Sequence, residues 1–450
     1  MDQIITEFGA QPGAERLNTR AIQETINEVA REGGRVVVPP GQWRTGTLRL
    51  RSHVELYLAP GAVLEGTGNP ADYPVEDVVA AGRLQSRRTF DRRLLFACGE
   101  KDVAITGEGT IDGNGGCAEH TFPRGNEGRP TNVQFVCCDD VRMENVHLRR
   151  AGSWMMHVVG CRRVSLRGLR IWNHGNRTND GIDIDGSSDV RITDCDIDSH
   201  DDALVFKSTG PLPCRHIVVT GCRLRSNCHG IKFGTESVGG FEYIRVADCL
   251  LSPSDRADPM PGYPEGRPLI TGCSLNCVDG GHMRHIQISG LIAEKVFAPI
   301  FVKLGNRHDR QIPGEDFAGT GSIEDLRISD ITAYQVGPYC CALSGLPEQA
   351  IRGVSLSGLR LSFEGGLPPE RILPRVHEEN DLYPEINMFS KVGGKRTDQV
   401  LPAWALYARH IDGLRVSDSL FQCRKPDARK ALHAENVTNQ EVTGLRIETP

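Results

Sequence analysis

The sequence predicts an all-β chain wound as a right-handed parallel β-helix, a solenoid of stacked coils capped at its start by one helix. Three observations predict it. A triplet with apolar ends recurs along the chain: Val141-Arg-Met143, Val164-Ser-Leu166, Val190-Arg-Ile192, Ile217-Val-Val219, Ile244-Arg-Val246, Ile286-Gln-Ile288, Leu326-Arg-Ile328, Val354-Ser-Leu356 and Leu414-Arg-Val416. Short period-two runs broken by Gly, Asn, Asp and Ser are the mark of strands. From 141 to 244 the triplets are spaced 23, 26, 27 and 27 residues apart with no helical stretch between them. That repeat suits a coil of three short strands and turns, whereas a propeller blade needs about 40 residues. The composition agrees, with 50 glycines among 450 residues and only 6% aromatics.

The elements follow in chain order. Residues 1–45 read as a cap. Ala21, Ile22, Thr25, Ile26, Val29 and Ala30 recur at helical spacing, Asn18 stands at the N-cap, and Gly33-Gly34 stops the helix. A solenoid end exposes apolar core and unpaired backbone, so an amphipathic lid is expected there. Residues 46–450 read as one continuous solenoid domain, with earlier echoes of the repeat at Val54-Glu-Leu56 and Val103-Ala-Ile105. Later gaps of 42, 40, 28 and 60 residues imply inserted loops.

A formal charge of −6 gives no reason to expect nucleic acid or a membrane surface as partner. No apolar run approaches the roughly 18 residues of a membrane span, and Met1-Asp2-Gln3 opens no secretory signal. A cytoplasmic location is expected from the chain as it stands, or a periplasmic or secreted one if a leader preceded Met1. The 15 cysteines include Cys195, Cys222 and Cys249 at spacings of 27 and 27, which points to small buried thiols stacked inside the coils rather than disulfides. Cys137-Cys138 and Cys340-Cys341 lack a zinc-type spacing, so neither a metal nor a cofactor is expected.

Asp180, the pair Asp201-Asp202 and His229 recur at about one-coil intervals. Neighbouring coils lie about 4.8 Å apart, so side chains on successive rungs converge. Cleaving a glycosidic bond needs one carboxyl group to protonate the leaving oxygen and another to activate water, set about 6.5–9.5 Å apart when the configuration inverts. Crowded carboxylates cannot all ionise cheaply, which favours one remaining protonated as the acid. Asp201 and Asp202 would face opposite sides of a regular strand, so the chain is expected to turn or bulge there. Asp183, Asp185, Asp194 and Asp196 are expected instead to satisfy backbone groups at turns.

These blocks resemble family 28 of the glycoside hydrolases, the polygalacturonase family of pectin-degrading enzymes. The opening is similar at Phe8-Gly9-Ala10, at Asn18 to Gln23, from Gly33 to Pro39, at Gly46-Thr47-Leu48, at Leu56 and from Gly61 to Leu64. Asn179-Asp180-Gly181-Ile182-Asp183 resembles the family's Asn-Thr-Asp-Gly block, and Ser199-His200-Asp201-Asp202-Ala203 its double-aspartate block. Cys228-His229-Gly230-Ile231 resembles the Gly-His-Gly block and Phe301-Val302-Lys303 the Arg-Ile-Lys block. The resemblance implies inverting hydrolysis on a parallel β-helix, acting on pectic oligosaccharides or polysaccharides. It implies Asp201 as general acid, Asp180 and Asp202 as the carboxylates that hold and deprotonate water, His229 near the acid, and Lys303 and Asn179 toward substrate.

The chain departs from that pattern. The arginine of Arg-Ile-Lys is Phe301 here, and Thr178-Asn179 transposes the usual Asn and Thr. Lys207, Lys232 and Lys303 fall on one strand face and are expected to line a subsite for a uronate carboxylate, with Arg307 as a second source of the absent guanidinium. The insertion at 253–269, carrying Asp255, Arg256, Asp258, Pro261 and Tyr263, and the segment of Arg87, Arg88, Arg92 and Arg93 are expected walls. Walls that close one end of a groove favour removal of terminal sugars. Trp154 and Trp172 are either sugar platforms or packing residues. Three other readings stand beside this one: a glycosidase of the same family directed at rhamnogalacturonan, a β-helix polysaccharide lyase, and a carbohydrate-binding solenoid without activity.

Overall fold

In a computed structural model of the chain the triplets stack. The structure describes residues 2–75, 92–117, 128–256, 269–308, 319–378, 380–392 and 395–450. The chain divides into two compact units, Met1–Val205 with Arg215–Arg223, and Phe206–Cys214 with Leu224–Pro450.

In the first unit Val54 pairs in register with Val103, Val103 with Val141, Val141 with Val164, Val164 with Val190, and Val190 with Ile217. All these pairs are parallel. A second ladder climbs through Ala62–Gly66, Thr110–Asp112, His147–Arg149, Arg170–Asn173 and Asp196–Ser199. A third climbs through Arg93–Cys98, Thr131–Val136, Met156–Val159 and Ile182–Asp185. Three strands to a coil, each paired with the coil before and after it, make the right-handed parallel β-helix that the repeat predicts. The second unit repeats the scheme: Ile244 pairs with Ile286, Ile286 with Leu326, Leu326 with Val354, and Val354 with Leu414. Cys195, Cys222 and Cys249 are buried as the spacing predicts.

The helix α1 spans Thr19–Val29 and buries Ile22, Thr25, Ile26 and Val29. Two details differ from expectation. Asn18 occupies the N-cap, but its side chain does not cap the helix; it accepts from the Gln11 amide at 2.8 Å and donates to the Arg16 carbonyl at 3.0 Å. Strand pairing also begins inside residues 1–45, since Gly34–Val38 pairs with Val54–Leu58 and Gly41–Thr45 with Ala62–Gly66. Gly33, at φ +80°, ends the helical segment as expected.

The longest insertion lies in the second unit, between the strands Arg360–Phe363 and Ala403–Ser417. Phe301, Ala342 and Tyr407 share one register column, while Ile300 and Val302 alternate with Phe301. The insertion packs Leu373, Val376, Ile386, Met388, Phe389 and Leu401 onto that column. Burying so many large side chains at roughly 1.5–3 kcal/mol each gives the segment ample reason to stay down.

Candidate active site

Asp180 follows a loop, residues 174–181, that joins the strands Arg170–Asn173 and Ile182–Asp185. Asp201 and Asp202 lie one coil later, after the strand Asp196–Ser199 ends. Residues 200–203 are outside any strand, so the bend expected at the double aspartate is present. The two loops run side by side. Gly181 donates to the Asp202 carbonyl at 2.9 Å, Ile182 to Ala203 at 3.0 Å, and Asp201 to Asn179 at 3.2 Å. Asp180 and Asp202 are buried and Asp201 is half-buried. Three carboxylates thus stand on two adjoining rungs.

The loop of Asp180 is tied on several sides. Asn173 donates to the carbonyls of Asp180, at 2.7 Å, and Ser153, at 3.1 Å. Asn179 donates to Ala151 and Ser153 at 3.1 and 2.7 Å and accepts from the Asn176 amide at 2.6 Å. Its amide is therefore engaged in holding the loop. Sequence reasoning missed Arg129, a buried residue that donates to the Gly152 carbonyl at 3.1 Å, to Thr178 Oγ1 at 2.9 Å and to the Arg177 carbonyl. Burial pulls the Arg129 guanidinium down from its usual range, and the charge of Asp180 opposes that pull.

Asp183 and Asp185 do not sit at turns as expected. They lie within the strand Ile182–Asp185, fully buried, and Asp185 Oδ2 meets His157 Nε2 at 3.1 Å. The strand runs on through the motif, so alternation turns both carboxylates to the face that His157 shares. Trp154 is buried against His157, ring centroids 5.0 Å apart, and is a packing residue. Trp172 is 37% exposed and leans on His174. Arg92 donates to the carbonyls of Pro70 and Tyr73, both at 2.6 Å, and Arg93 is buried over Phe96. Arg87 and Arg88 lie outside the described residues.

In the second unit His229 is fully buried, its Nδ1 2.6 Å from Thr271 Oγ1 and its Nε2 3.4 Å from Glu385 Oε1. Lys232 Nζ is 3.7 Å from the same Glu385 oxygen. Lys303 Nζ donates to Asn380 Oδ1 at 3.0 Å and Ser344 Oγ at 3.4 Å. Lys232 pairs with Ser274, which pairs with Phe301, so Lys232 and Lys303 share one sheet face two positions apart. Lys207 Nζ pairs with Glu236 at 3.8 Å. Arg307 is locked in a two-point bond to Asp279, at 3.1 and 2.7 Å, and donates to Thr235 Oγ1 at 2.9 Å. The ring centroid of Tyr383 lies 5.6 Å from Lys232 Nζ and 5.7 Å from Arg307 Cζ. Asn380, Tyr383 and Glu385 all belong to the long insertion and were not foreseen; the 60-residue gap was the only signal of them.

Of the expected wall at 253–269, Asp255 pairs with Arg225 and the Arg256 carbonyl accepts from Asn227 at 2.9 Å. Asp258, Pro261 and Tyr263 lie outside the described residues. Within either unit taken alone, no three His, Cys, Asp or Glu side chains of the described residues cluster closely enough to hold a metal ion. No helix among the described residues is long and apolar enough to cross a membrane.

A parallel β-helix with aspartates on adjoining loops suits a glycoside hydrolase, and comparison with known proteins agrees. Residues 84–257 match glycosyl hydrolases family 28, and together with the polygalacturonase relatives that match indicates a glycoside hydrolase. A probable polygalacturonase of Vitis vinifera is 28% identical over 382 residues, covering 79% of this chain and 73% of that one. An exo-poly-α-D-galacturonosidase of Dickeya chrysanthemi is 39% identical over 119 residues, 25% of this chain and 19% of that one. Among solved structures, a hyperthermoactive exopolygalacturonase from Thermotoga maritima superposes with a TM-score of 0.66 at 21% identity, covering 81% of this chain and 87% of that one. The family 28 exopolygalacturonase of Yersinia enterocolitica gives 0.69 at 16% identity, over 99% and 78%. Both share the fold.

Proposed function

We propose that the protein hydrolyses α-glycosidic bonds of galacturonate-containing pectic chains with inversion, releasing sugars from chain ends. Asp201, the most accessible of the three aspartates, protonates the leaving oxygen. Asp180 and Asp202, buried on adjoining rungs, hold the attacking water and take its proton. The observation that supports this reading is the pair of loops joined by the Gly181–Asp202 and Asp201–Asn179 backbone bonds, which run the segments bearing the three aspartates side by side on adjoining rungs. Asn179 fixes the loop rather than the sugar. Lys232 and Lys303, on one sheet face, form the basic side of the proposal and suit a uronate carboxylate, with His229, Lys207 and Arg307 as further polar groups of the same unit. Exo action is supported by the insertion that covers the outer face of the sheet around Phe301 and Tyr407 in the second unit, and by the exo-acting relative from Dickeya chrysanthemi.

The test is a product assay with wild type and Asp201→Asn on polygalacturonate, its oligomers and rhamnogalacturonan oligomers. Monomers released from galacturonate oligomers, with the anomeric configuration inverted and activity lost in the variant, are expected. An unsaturated product would show a lyase, and turnover of rhamnogalacturonan alone would move the substrate within the family.

A further inference from the structure

We propose that Arg129 is a positioning residue for hydrolysis: it pins the loop that carries Asp180 and keeps a positive charge beside that carboxylate, holding it ready to accept the proton of water. This rests on the assignment of Asp180 as a base. Arg129 lies 49 residues from Thr178 and reaches it through the fold, from the segment that precedes the strand Thr131–Val136. Its guanidinium is buried, an expensive place for a charge unless hydrogen bonds and an opposite charge compensate. The bonds go to the Gly152 and Arg177 carbonyls and to Thr178 Oγ1, that is, to the coil below and to the Asp180 loop itself. The opposite charge is Asp180.

Thr178 shows why the loop needs a clamp. It is a β-branched residue with φ +55°, in the left-handed region that such side chains avoid. Strain of this kind costs about 1–3 kcal/mol and persists only where the surroundings impose it. Thr178 Oγ1 accepts from Arg129 and lies 3.3 Å from Ser153 Oγ, so a hydroxyl at this position completes the clamp. The transposed Thr178-Asn179 order thereby has a physical use.

Around Asp180, Arg129 comes from two coils below, the exposed Arg177 and the buried His174, which pairs with Asp198, from its own loop, and His200, Asp201 and Asp202 from the next coil. Asp201 and Asp202 oppose ionisation of Asp180 and Arg129 favours it. A general base must be ionised, so activity falls as pH drops and the base protonates. An opposite charge at close range moves a carboxyl by about 1–3 pH units.

The experiment compares kcat and KM against pH on trigalacturonate for Arg129→Gln, Arg129→Lys and Thr178→Val. Arg129→Gln is expected to move the acid limb of kcat/KM upward by about one unit or more, and to lower kcat by about 10–100-fold while KM stays within about threefold. Arg129→Lys should restore the limb and part of kcat. Thr178→Val keeps the charge and loses an anchor, so kcat should fall with the limb in place. An unmoved limb in a folded Arg129→Gln overturns the proposal. Should that variant not fold, Thr178→Val decides, and wild-type kinetics there overturn it. If the wild type hydrolyses no pectic oligosaccharide, the hydrolase reading fails instead. Carboxyl titration of Asp180 by 13C NMR in wild type and Arg129→Gln then judges the charge effect without turnover, and a titration unchanged by removing the charge would sink it.

Discussion

Asp201 and Asp180 carry unequal surroundings, and the proposed division into acid and base rests on that inequality. Asp201 is half-open to solvent, whereas Asp180 is buried among backbone ties and the Arg129 charge. Replacing either carboxylate by its amide is expected to lower kcat by about 10²–10⁴-fold with little change in the unfolding midpoint, measured by trisaccharide turnover and urea titration. Glu385 sets a second expectation. Its carboxylate faces both His229 and Lys232, offsetting the charge of a lysine proposed to receive a uronate. Glu385→Gln should therefore lower KM for galacturonate oligomers several-fold, most at low ionic strength, since like charge no longer competes for the site. An unchanged KM across a salt series would place uronate binding elsewhere.

The long insertion of the second unit is held by apolar packing rather than by strand pairing. Met388 is fully buried and Phe389 nearly so, the latter edge-on to Phe301 at 6.4 Å between ring centroids. Met388→Ala should cost about 2–5 kcal/mol, since the neighbouring rings relax only partly into the space. Guanidinium unfolding monitored by Tyr and Trp fluorescence reads that loss. The same variant should raise KM, because Asn380 and Tyr383 hold the lysines in place only while the insertion stays seated. A loss of stability without any kinetic change would separate the insertion from the site.

Acid stability belongs to the whole molecule. Several surface carboxyls are held below their ordinary range by side-chain hydrogen bonds, most of them from neighbouring coils. Asp139 is held by hydrogen bonding to Arg162, Asp140 by Arg163, Asp325 by His285 and then Arg327, and Asp412 by Thr438 and Asn439. A depressed carboxyl contributes stability above its unfolded value and loses it as pH falls through the folded one. With an ordinary Asp value of 3.8, the urea midpoint should be level above about pH 5 and decline below about pH 4. Each pair is exposed, so each contributes little and salt should flatten the decline.

How far the sequence reaches follows from the same geometry. The β-helix was legible because each coil pairs with the next, so one periodic pattern records every rung; the triplets from Val54 to Leu414 fall in register within each unit. The thiols at Cys195, Cys222 and Cys249 were legible for that reason too, and so was the bend at Asp201-Asp202, since strand alternation forbids both carboxylates from facing one way. Arg129 beside Asp180, Glu385 on His229 across 156 residues, and Asp183 with Asp185 turned toward His157 were decided only by the tertiary structure. Contacts made by a loop that leaves the coil and returns have no period, and nothing in a linear pattern says where a long insertion will find apolar surface to cover.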